Sequence, residues 1–318
     1  MNTVSIVTPC YNEEANVAEL CAAVREVFKN IPEYNYEHIF IDNHSSDRTV
    51  EILKDIAIGD KRVKIIVNAR NFGHIRSPYY GLLQASGDAA ILLAADFQDP
   101  PAMIKTFIEK WEAGYKIVIG IKKKSRENRV MFGLRRIYYH LMSELAESEH
   151  IDDFTGFGLY DRSFLEVLRG INDPYPYFRG LVAELGVDRY DVFYDQPKRR
   201  HGKTKNNFYT LFDMALIGMV NHTKAPIRMA TISGFCIAAV SLIFSIFYLV
   251  YKLIYWEKFQ LGNAPVVIGL FFFSSVQIFF IGLVGEYVSA TFTHVRNRPR
   301  VIERERINFD KEMDGSSR

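Results

Sequence analysis

Short apolar runs alternate with longer amphipathic segments through the first 120 residues. The runs Val4–Thr8, His38–Asp42, Lys64–Asn68, Ala89–Ala94 and Lys116–Ile121 have strand length and read as buried strands. Between them, Glu14–Phe28 places Val17, Leu20, Cys21, Val24, Val27 and Phe28 on one helical face. Ser46–Ile56, Ser77–Ala85 and Ala102–Ala113 complete the expected helices. Strict alternation of strand and helix predicts an α/β fold with a mostly parallel sheet covered on both faces.

The pattern changes beyond about residue 220. Thr231–Val250 and Ala264–Leu283 carry no charged residue, and each run of about 20 residues matches a ~30 Å hydrocarbon core. Two such runs joined by a short loop are expected to form a transmembrane helical hairpin, at about 229–253 and 264–288. Lys224 and Arg228 precede it, and Arg296, Arg298 and Arg300 follow it. The connecting loop holds only Lys252 and Lys258, with Glu257. The positive-inside rule then places residues 1–220, the tail 291–318 and both termini on the cytoplasmic side of the cytoplasmic membrane. Tyr251, Tyr255 and Trp256 fit an aromatic belt on the far side. Thr3–Thr8 reads as a strand rather than a signal peptide, and the tail after Glu303 reads as polar and mobile.

Charge and cysteines narrow the picture. The net charge of the 318 residues is only +2, so no nucleic acid or other strongly charged macromolecule is implied as a partner. Cys10, Cys21 and Cys236 lack metal-ligand spacing and read as reduced thiols. Two basic runs stand out, Lys122–Arg129 and Lys198–Lys205. The first leads into Val130–Leu145, which has the spacing of an amphipathic helix, either packed on the sheet or lying on a membrane surface. The second precedes the first apolar span, where phosphate headgroups would be within reach.

Candidate chemistry gathers at the strand ends. The run Ala90–Ala94 stops at Asp96, and Pro100 and Pro101 bar its continuation. Asp96 is therefore expected at the carboxyl end of a buried strand, where open α/β sheets hold ligands. Asp96 and Gln98 offer hard oxygen ligands to Mg²⁺ or Mn²⁺; a helix N-cap and a solvated turn are the alternative. Pro9–Glu13, Asp42–Asn43 and Arg70–Asn71 end other strands at the same edge.

Several motifs together carry a resemblance. Ser5–Glu14 (SIVTPCYNEE), Ile41–Asp47 (IDNHSSD), Arg70–Gly73 (RNFG) and Asp96–Pro101 (DFQDPP) resemble glycosyltransferase family 2. Gly282–Tyr287 (GLVGEY) with Arg298-Pro299 is similar to its polyprenyl-phosphate branch, that of bactoprenol glucosyltransferases and dolichol-phosphate-mannose synthase. The resemblance implies a GT-A type nucleotide-sugar-binding domain. Pro9, Tyr11 and Glu13 match the first nucleotide-contacting loop, Asp42 the carboxylate that recognises the base, and Arg70 the next nucleotide-side loop. Asp96 and Gln98 match metal-binding positions. Arg199, Gly202, Thr204 and Lys205 resemble an Arg-x-x-Gly-x-Ser-Lys segment placed near phosphates.

The chain departs from the family pattern twice. Ala94-Ala95-Asp96 stands where the family has Asp-Ala-Asp, and Gly156 falls at the aspartate of Gly-Asp-Phe-Arg-Leu. Asp152 or Asp153 is the expected substitute carboxylate. The implied reaction is inverting transfer of a hexose, with glucose from UDP-glucose as the leading donor, onto undecaprenyl or another polyprenyl phosphate. Asp96, Arg199, Lys205 and Asp153 are the expected catalytic residues, and Arg126, Arg199, Lys203 and Lys205 the phosphate-binding ones. GDP-mannose or a modified UDP-sugar as donor, a nucleotide-sugar-binding pseudoenzyme and a lipid-sugar flippase component are the alternatives. Homo-oligomerisation is left open.

Overall fold

The structure is a computed structural model that describes residues 1–123, 151, 153–173, 176–197, 225–255, 264–295 and 299–309. These fall into two compact units. The first contains the described residues up to Pro197 together with 299–309, and the second contains two long helices.

The first unit runs β1 (Thr3–Cys10), α1 (Val17–Lys29), β2 (Asn35–Asp42), α2 (Thr49–Gly59), β3 (Val63–Asn68), α3 (Gly73–Leu83), β4 (Ala89–Leu92), α4 (Met103–Glu112) and β5 (Ile117–Lys122). It continues with β6 (Phe154–Asp161), α5 (Arg162–Gly170), α6 (Phe178–Glu184), β7 (Arg189–Tyr194) and, after the second unit, β8 (Glu303–Ile307). All eight strands form one sheet in the order β7-β5-β6-β4-β1-β2-β3-β8. The pairs β1–β2, β1–β4, β2–β3 and β5–β7 are parallel. The pairs β4–β6, β5–β6 and β3–β8 are antiparallel.

Both faces of the sheet are covered, which is why the central strands read as continuous apolar runs. Val4 and Ile6 of β1, Phe40 and Ile65 pack on one side with Leu20 and Val24 of α1, Leu53 of α2 and Phe107 of α4. Val7, Ile39, Ile41 and Ile66 pack on the other with Tyr79 and Leu82 of α3 and Phe164 and Leu168 of α5. Helix α3 begins four residues before the expected Ser77 and carries Pro78 inside it. Helix α2 begins three residues later than expected, because Asp47 holds the preceding turn by accepting from Thr49 N–H at 3.0 Å.

The start of the tail, residues 303–309, corrects the expectation of mobility, while residues 310–318 lie outside the described residues. Residues 303–307 pair with β3 as an edge strand. Lys54 Nζ lies 2.6 Å from Glu305 Oε2, and the Tyr80 hydroxyl donates to Glu303 at 2.9 Å. Arg306 donates to Gln84 Oε1 at 2.7 Å, and Asn308 Nδ2 donates to the carbonyls of Ala57 and Val63, each at 2.9 Å. A strand this charged is tolerated because an edge has a solvated side.

The second unit contains α7 (Ala225–Ile254) and α8 (Ala264–Val295). Among the described residues, Phe272–Ser289 of α8 is long and apolar enough to cross a membrane. The expected first span, Thr231–Val250, lies inside α7. Large apolar side chains of both helices, Phe235, Phe244, Ile278 and Phe279 among them, are exposed.

Candidate active site

One edge of the sheet collects the carboxyl ends of β1, β2, β3, β4, β5 and β7, together with the start of the antiparallel β6. Four of its non-glycine residues, Asn12, His44, Phe97 and Asp153, have positive φ, between 55° and 69°. L residues adopt such angles at a cost, and they concentrate where the chain must present particular groups.

The β1 and β2 loops brace each other. Asn12 N–H donates to Ser45 Oγ at 2.8 Å, and Asn12 Oδ1 accepts from Ser46 N–H at 2.8 Å. Glu13 N–H donates to Thr49 Oγ1 at 2.8 Å, while the Glu13 carboxylate accepts from Asn16 Nδ2 at 2.6 Å. Pro9, Tyr11 and Glu13 are all half-buried beside this brace. Asp42 is fully buried. One of its oxygens accepts from Ser45 N–H at 3.0 Å and the other from the Ser45 hydroxyl. Burial raises its pKa, and the Ser45 hydrogen bonds oppose that rise. Asp42, expected to recognise the base, is thus committed to holding the turn at Ser45 at the end of β2.

The next loop is tied by amides. Asn43 Oδ1 accepts from Asn68 Nδ2 at 3.1 Å and from Phe72 N–H at 2.9 Å, and Asn43 Nδ2 donates to Asn71 Oδ1 at 3.0 Å. Arg70 is exposed, with its guanidinium 4.3 Å from the Phe72 ring centroid.

The loop after β4 holds the acidic centre. Asp96 is buried, and its Oδ1 accepts from Gln98 N–H at 3.1 Å across the left-handed Phe97. Asp99, also buried, accepts from the Tyr194 hydroxyl at 3.0 Å and from Ala94 N–H at 3.3 Å. Burial pushes its carboxyl up to about 6, with Asp96 adding to the rise and Tyr194 opposing it. Burial and Asp99 hold the Tyr194 hydroxyl well above the phenol range, so it stays a donor. Lys122, at the end of β5, is lowered by burial, while Asp99, Asp153 and Asp96 favour its charged form and Arg179 opposes it. Lys122 N–H donates to the Asp153 carbonyl at 3.4 Å. Asp96, Asp99, Asp153, Lys122 and Arg179 thus form one electrostatic cluster.

Sequence reasoning brought Pro9, Tyr11, Glu13, Arg70, Asp96, Gln98 and Asp153 to this edge, and the structure places all of them there. It did not single out Lys122, Tyr194, Arg179 or the buried role of Asp99. Lys122 opens a basic run that reads as solvated surface, and Asp99 has no local signature that marks it as buried. Arg126, Asp152, Arg199, Gly202, Lys203, Thr204 and Lys205, and the segment Val130–Leu145, lie outside the described residues.

At the family's second aspartate position, Gly156 has φ +99°. As for a metal, no three or more His, Cys, Asp or Glu side chains among the described residues are grouped so that they could hold an ion by themselves. Asp96 and Gln98 supply one carboxylate and one amide oxygen. That donor set fits a hard divalent ion which takes its other ligands from substrate phosphate and water.

Comparison with known proteins places this geometry in context. Residues 5–169 match the family model described as glycosyl transferase family 2. The uncharacterized glycosyltransferase YkcC of Bacillus subtilis (strain 168) is 30% identical, over 97% of this chain and 98% of its own length. The SfII prophage-derived bactoprenol glucosyl transferase of Shigella flexneri is 29% identical, over 94% of this chain and 96% of its own. The prophage bactoprenol glucosyl transferase homolog of Escherichia coli (strain K12) is 28% identical, over 94% and 97%. Among solved structures, glucosyl-3-phosphoglycerate synthase from Mycobacterium tuberculosis with Mn²⁺, UDP and phosphoglyceric acid aligns with a TM-score of 0.48 at 20% identity. It covers 67% of this chain and 75% of that one, too distant to bear on substrate or metal. The family-model match and the near full-length relatives agree: the chain belongs to glycosyltransferase family 2.

Proposed function

We propose that the protein transfers a hexose, glucose from UDP-glucose in the leading case, onto undecaprenyl or another polyprenyl phosphate at the cytoplasmic face of the membrane. The observation that carries this reading is the gathering of Asp96, Asp99, Asp153 and Lys122 at the carboxyl edge of the sheet, with Gln98 on the Asp96 loop, in a chain whose α8 has the length and apolarity of a membrane span. Relatives named bactoprenol glucosyl transferase over nearly their whole length support the choice of acceptor.

The chemistry needs little base assistance. A phosphate monoester has a second pKa near 6, so the acceptor is largely dianionic at neutral pH. Its oxygen attacks the anomeric carbon as the bond to the diphosphate breaks, inverting that centre. The harder tasks are to bring two anions together and to stabilise the departing nucleotide. Mg²⁺ or Mn²⁺ held by Asp96 and Gln98 would supply positive charge to the leaving diphosphate. Lys122 and Arg179 add cationic charge in the cluster, and Arg126, Arg199, Lys203 and Lys205 are proposed to receive phosphate groups. Pro9, Tyr11, Glu13 and Arg70 are proposed to border the nucleotide, with Asp42 recognising its base from the turn it holds. The negative charge of Asp153 favours the charged form of Lys122. A two-span hairpin with both termini cytoplasmic would keep this edge at the level of a lipid that does not leave the bilayer.

Ala94 and Gly156, which take the places of two family carboxylates, favour one second reading, a protein that binds nucleotide sugar without transferring it. A panel of radiolabelled UDP- and GDP-sugars, offered with polyprenyl phosphate with and without chelator, separates the readings. Label entering the lipid from one donor, and lost with chelator, is expected. Nucleotide binding with no labelled lipid from any donor would overturn the transfer reading.

A further inference from the structure

The loop that carries Asp96 and Gln98 is held in an uphill conformation. Phe97 has φ +59°, a left-handed angle that is an outlier for a bulky side chain and persists only when its surroundings fix it. Two contacts close the loop on itself: Gln98 N–H to Asp96 Oδ1 at 3.1 Å, and Ala94 N–H to Asp99 Oδ2 at 3.3 Å. A third comes from outside it. The Tyr194 hydroxyl, from β7, donates to Asp99 Oδ1 at 3.0 Å.

Tyr194 is itself fixed by the sheet. It pairs in register with Lys122 of β5, and its carbonyl accepts from Lys123 N–H at 2.9 Å. Its ring meets Phe157 edge-on at 5.6 Å. Both rings lie over Gly120, where a Cβ would come within 2.8 Å of Phe157 Cδ1 and 3.1 Å of Tyr194 Cε1. The glycine is what admits the tyrosine at this depth. A line of contacts therefore runs from Gly120 through Tyr194 and Asp99 to the backbone of Ala94, and so to the loop bearing Asp96 and Gln98.

We propose that Tyr194 and Asp99 are a pair of positioning residues, a strut from β7 that holds the Asp96–Gln98 loop in the geometry that receives the nucleotide diphosphate and its metal. This rests on the reading of that loop given above. A tyrosine buried only for packing would also pair its hydroxyl, so the test must read ligand binding apart from stability.

The probe is UDP with Mn²⁺, titrated calorimetrically into the full-length chain in detergent, with thermal melting and donor and acceptor KM measured alongside. Tyr194→Phe keeps the ring and removes only the hydroxyl. We expect UDP affinity to fall about tenfold, the factor equivalent to losing one hydrogen bond to a carboxylate of about 1.4 kcal/mol. Donor KM should rise with it while acceptor KM is unchanged. Adding Asp99→Asn to Tyr194→Phe should cost no more than the weaker single variant, because a strut cut at either end is cut. Should Tyr194→Phe fail to fold because it strands a buried carboxylate, D99L/Y194F removes both polar partners and is expected to show the same loss of UDP affinity. Affinity within about twofold of wild type in a folded variant, or additive losses, would overturn the strut. A wild type that binds UDP but glycosylates no lipid would overturn the transferase reading alone, since the strut is judged by affinity.

Discussion

Gly156 is the position at which this chain's backbone and its expected chemistry meet. Its φ of +99° is one that L side chains rarely adopt. Space is not the obstacle: a Cβ would sit 3.4 Å from Leu92 Cδ2 and 3.7 Å from Phe178 Cδ1, ordinary contacts. The carbonyl is also committed, accepting from the buried Tyr160 hydroxyl at 2.7 Å, so the peptide cannot simply turn over. Gly156→Ala should therefore cost about 1–2 kcal/mol in backbone strain alone. Gly156→Asp adds the burial of a carboxyl beside Leu92 and Phe178, about 1–3 kcal/mol more. For a sheet unit of this size each kcal/mol moves the melting temperature by about 2–4 °C. The alanine variant should melt about 2–8 °C below wild type, and the aspartate variant about 4–20 °C below. Thermal unfolding of full-length variants in detergent, read by tryptophan fluorescence, measures both, and sugar transfer to lipid is assayed in parallel. No gain in transfer is expected from the aspartate. A Gly156→Asp protein that melts with wild type and transfers faster would refute the reasoning. The glycine would then be a lost carboxylate and not a backbone requirement.

Asp96→Ala removes the one carboxylate of the donor set, so metal-supported transfer should fall by about a hundredfold or more; an unchanged Mn²⁺ titration of activity would contradict its role. His38 is fully buried, shares a 3.0 Å hydrogen bond with Thr8 Oγ1, and is pushed by burial down to about 3. Its folded pKa lies below its unfolded value, so the unfolded chain binds the extra proton. The stability it contributes is complete above about pH 6.5 and is lost on acidification by about 1.4 kcal/mol per pH unit. Asp99, raised to about 6, runs the other way between about pH 4 and 6. The His38→Phe variant should accordingly show a shallower acid-side fall in melting temperature than wild type, and identical profiles would exclude His38 as the cause. Ending the chain at Pro299 removes β8 and the Lys54–Glu305 and Tyr80–Glu303 contacts, leaving β3 as an open edge. Lower melting and self-association on size exclusion are expected, and an equally stable, monodisperse protein would contradict the pairing.

The first five strands were legible in the sequence because burial on both faces makes them plain apolar runs. The later ones were not, and each for its own reason. Strand β6 contains Gly156 and Gly158, which read as loop; Gly158 is admitted because a Cβ there would lie 2.6 Å from the Val118 carbonyl. Strand β7 is half exposed along most of its length and shows no apolar run. Strand β8 reads Glu-Arg-Glu-Arg-Ile, the composition of a solvated tail, and is a strand only because β3 offers it an edge. At the site, Asp96 announces itself by stopping an apolar run. Asp99 and Tyr194, 95 residues apart, have no local signature, because their meeting depends on the order of strands. The burial of Asp42 beneath Ser45 is likewise a product of the turn and not of its motif.

The account's central claim is that a lipid-borne phosphate displaces the nucleotide at the Asp96 edge of the sheet. The most direct measurement follows nucleoside diphosphate release and phosphate-linked hexose lipid, by mass spectrometry, in one reaction of purified full-length protein, UDP-glucose, Mg²⁺ and undecaprenyl phosphate. The account predicts equal amounts of UDP and glycosylated lipid, neither formed without the lipid and neither formed by Asp96→Ala. UDP released without the lipid, or lipid product undiminished in Asp96→Ala, would contradict it.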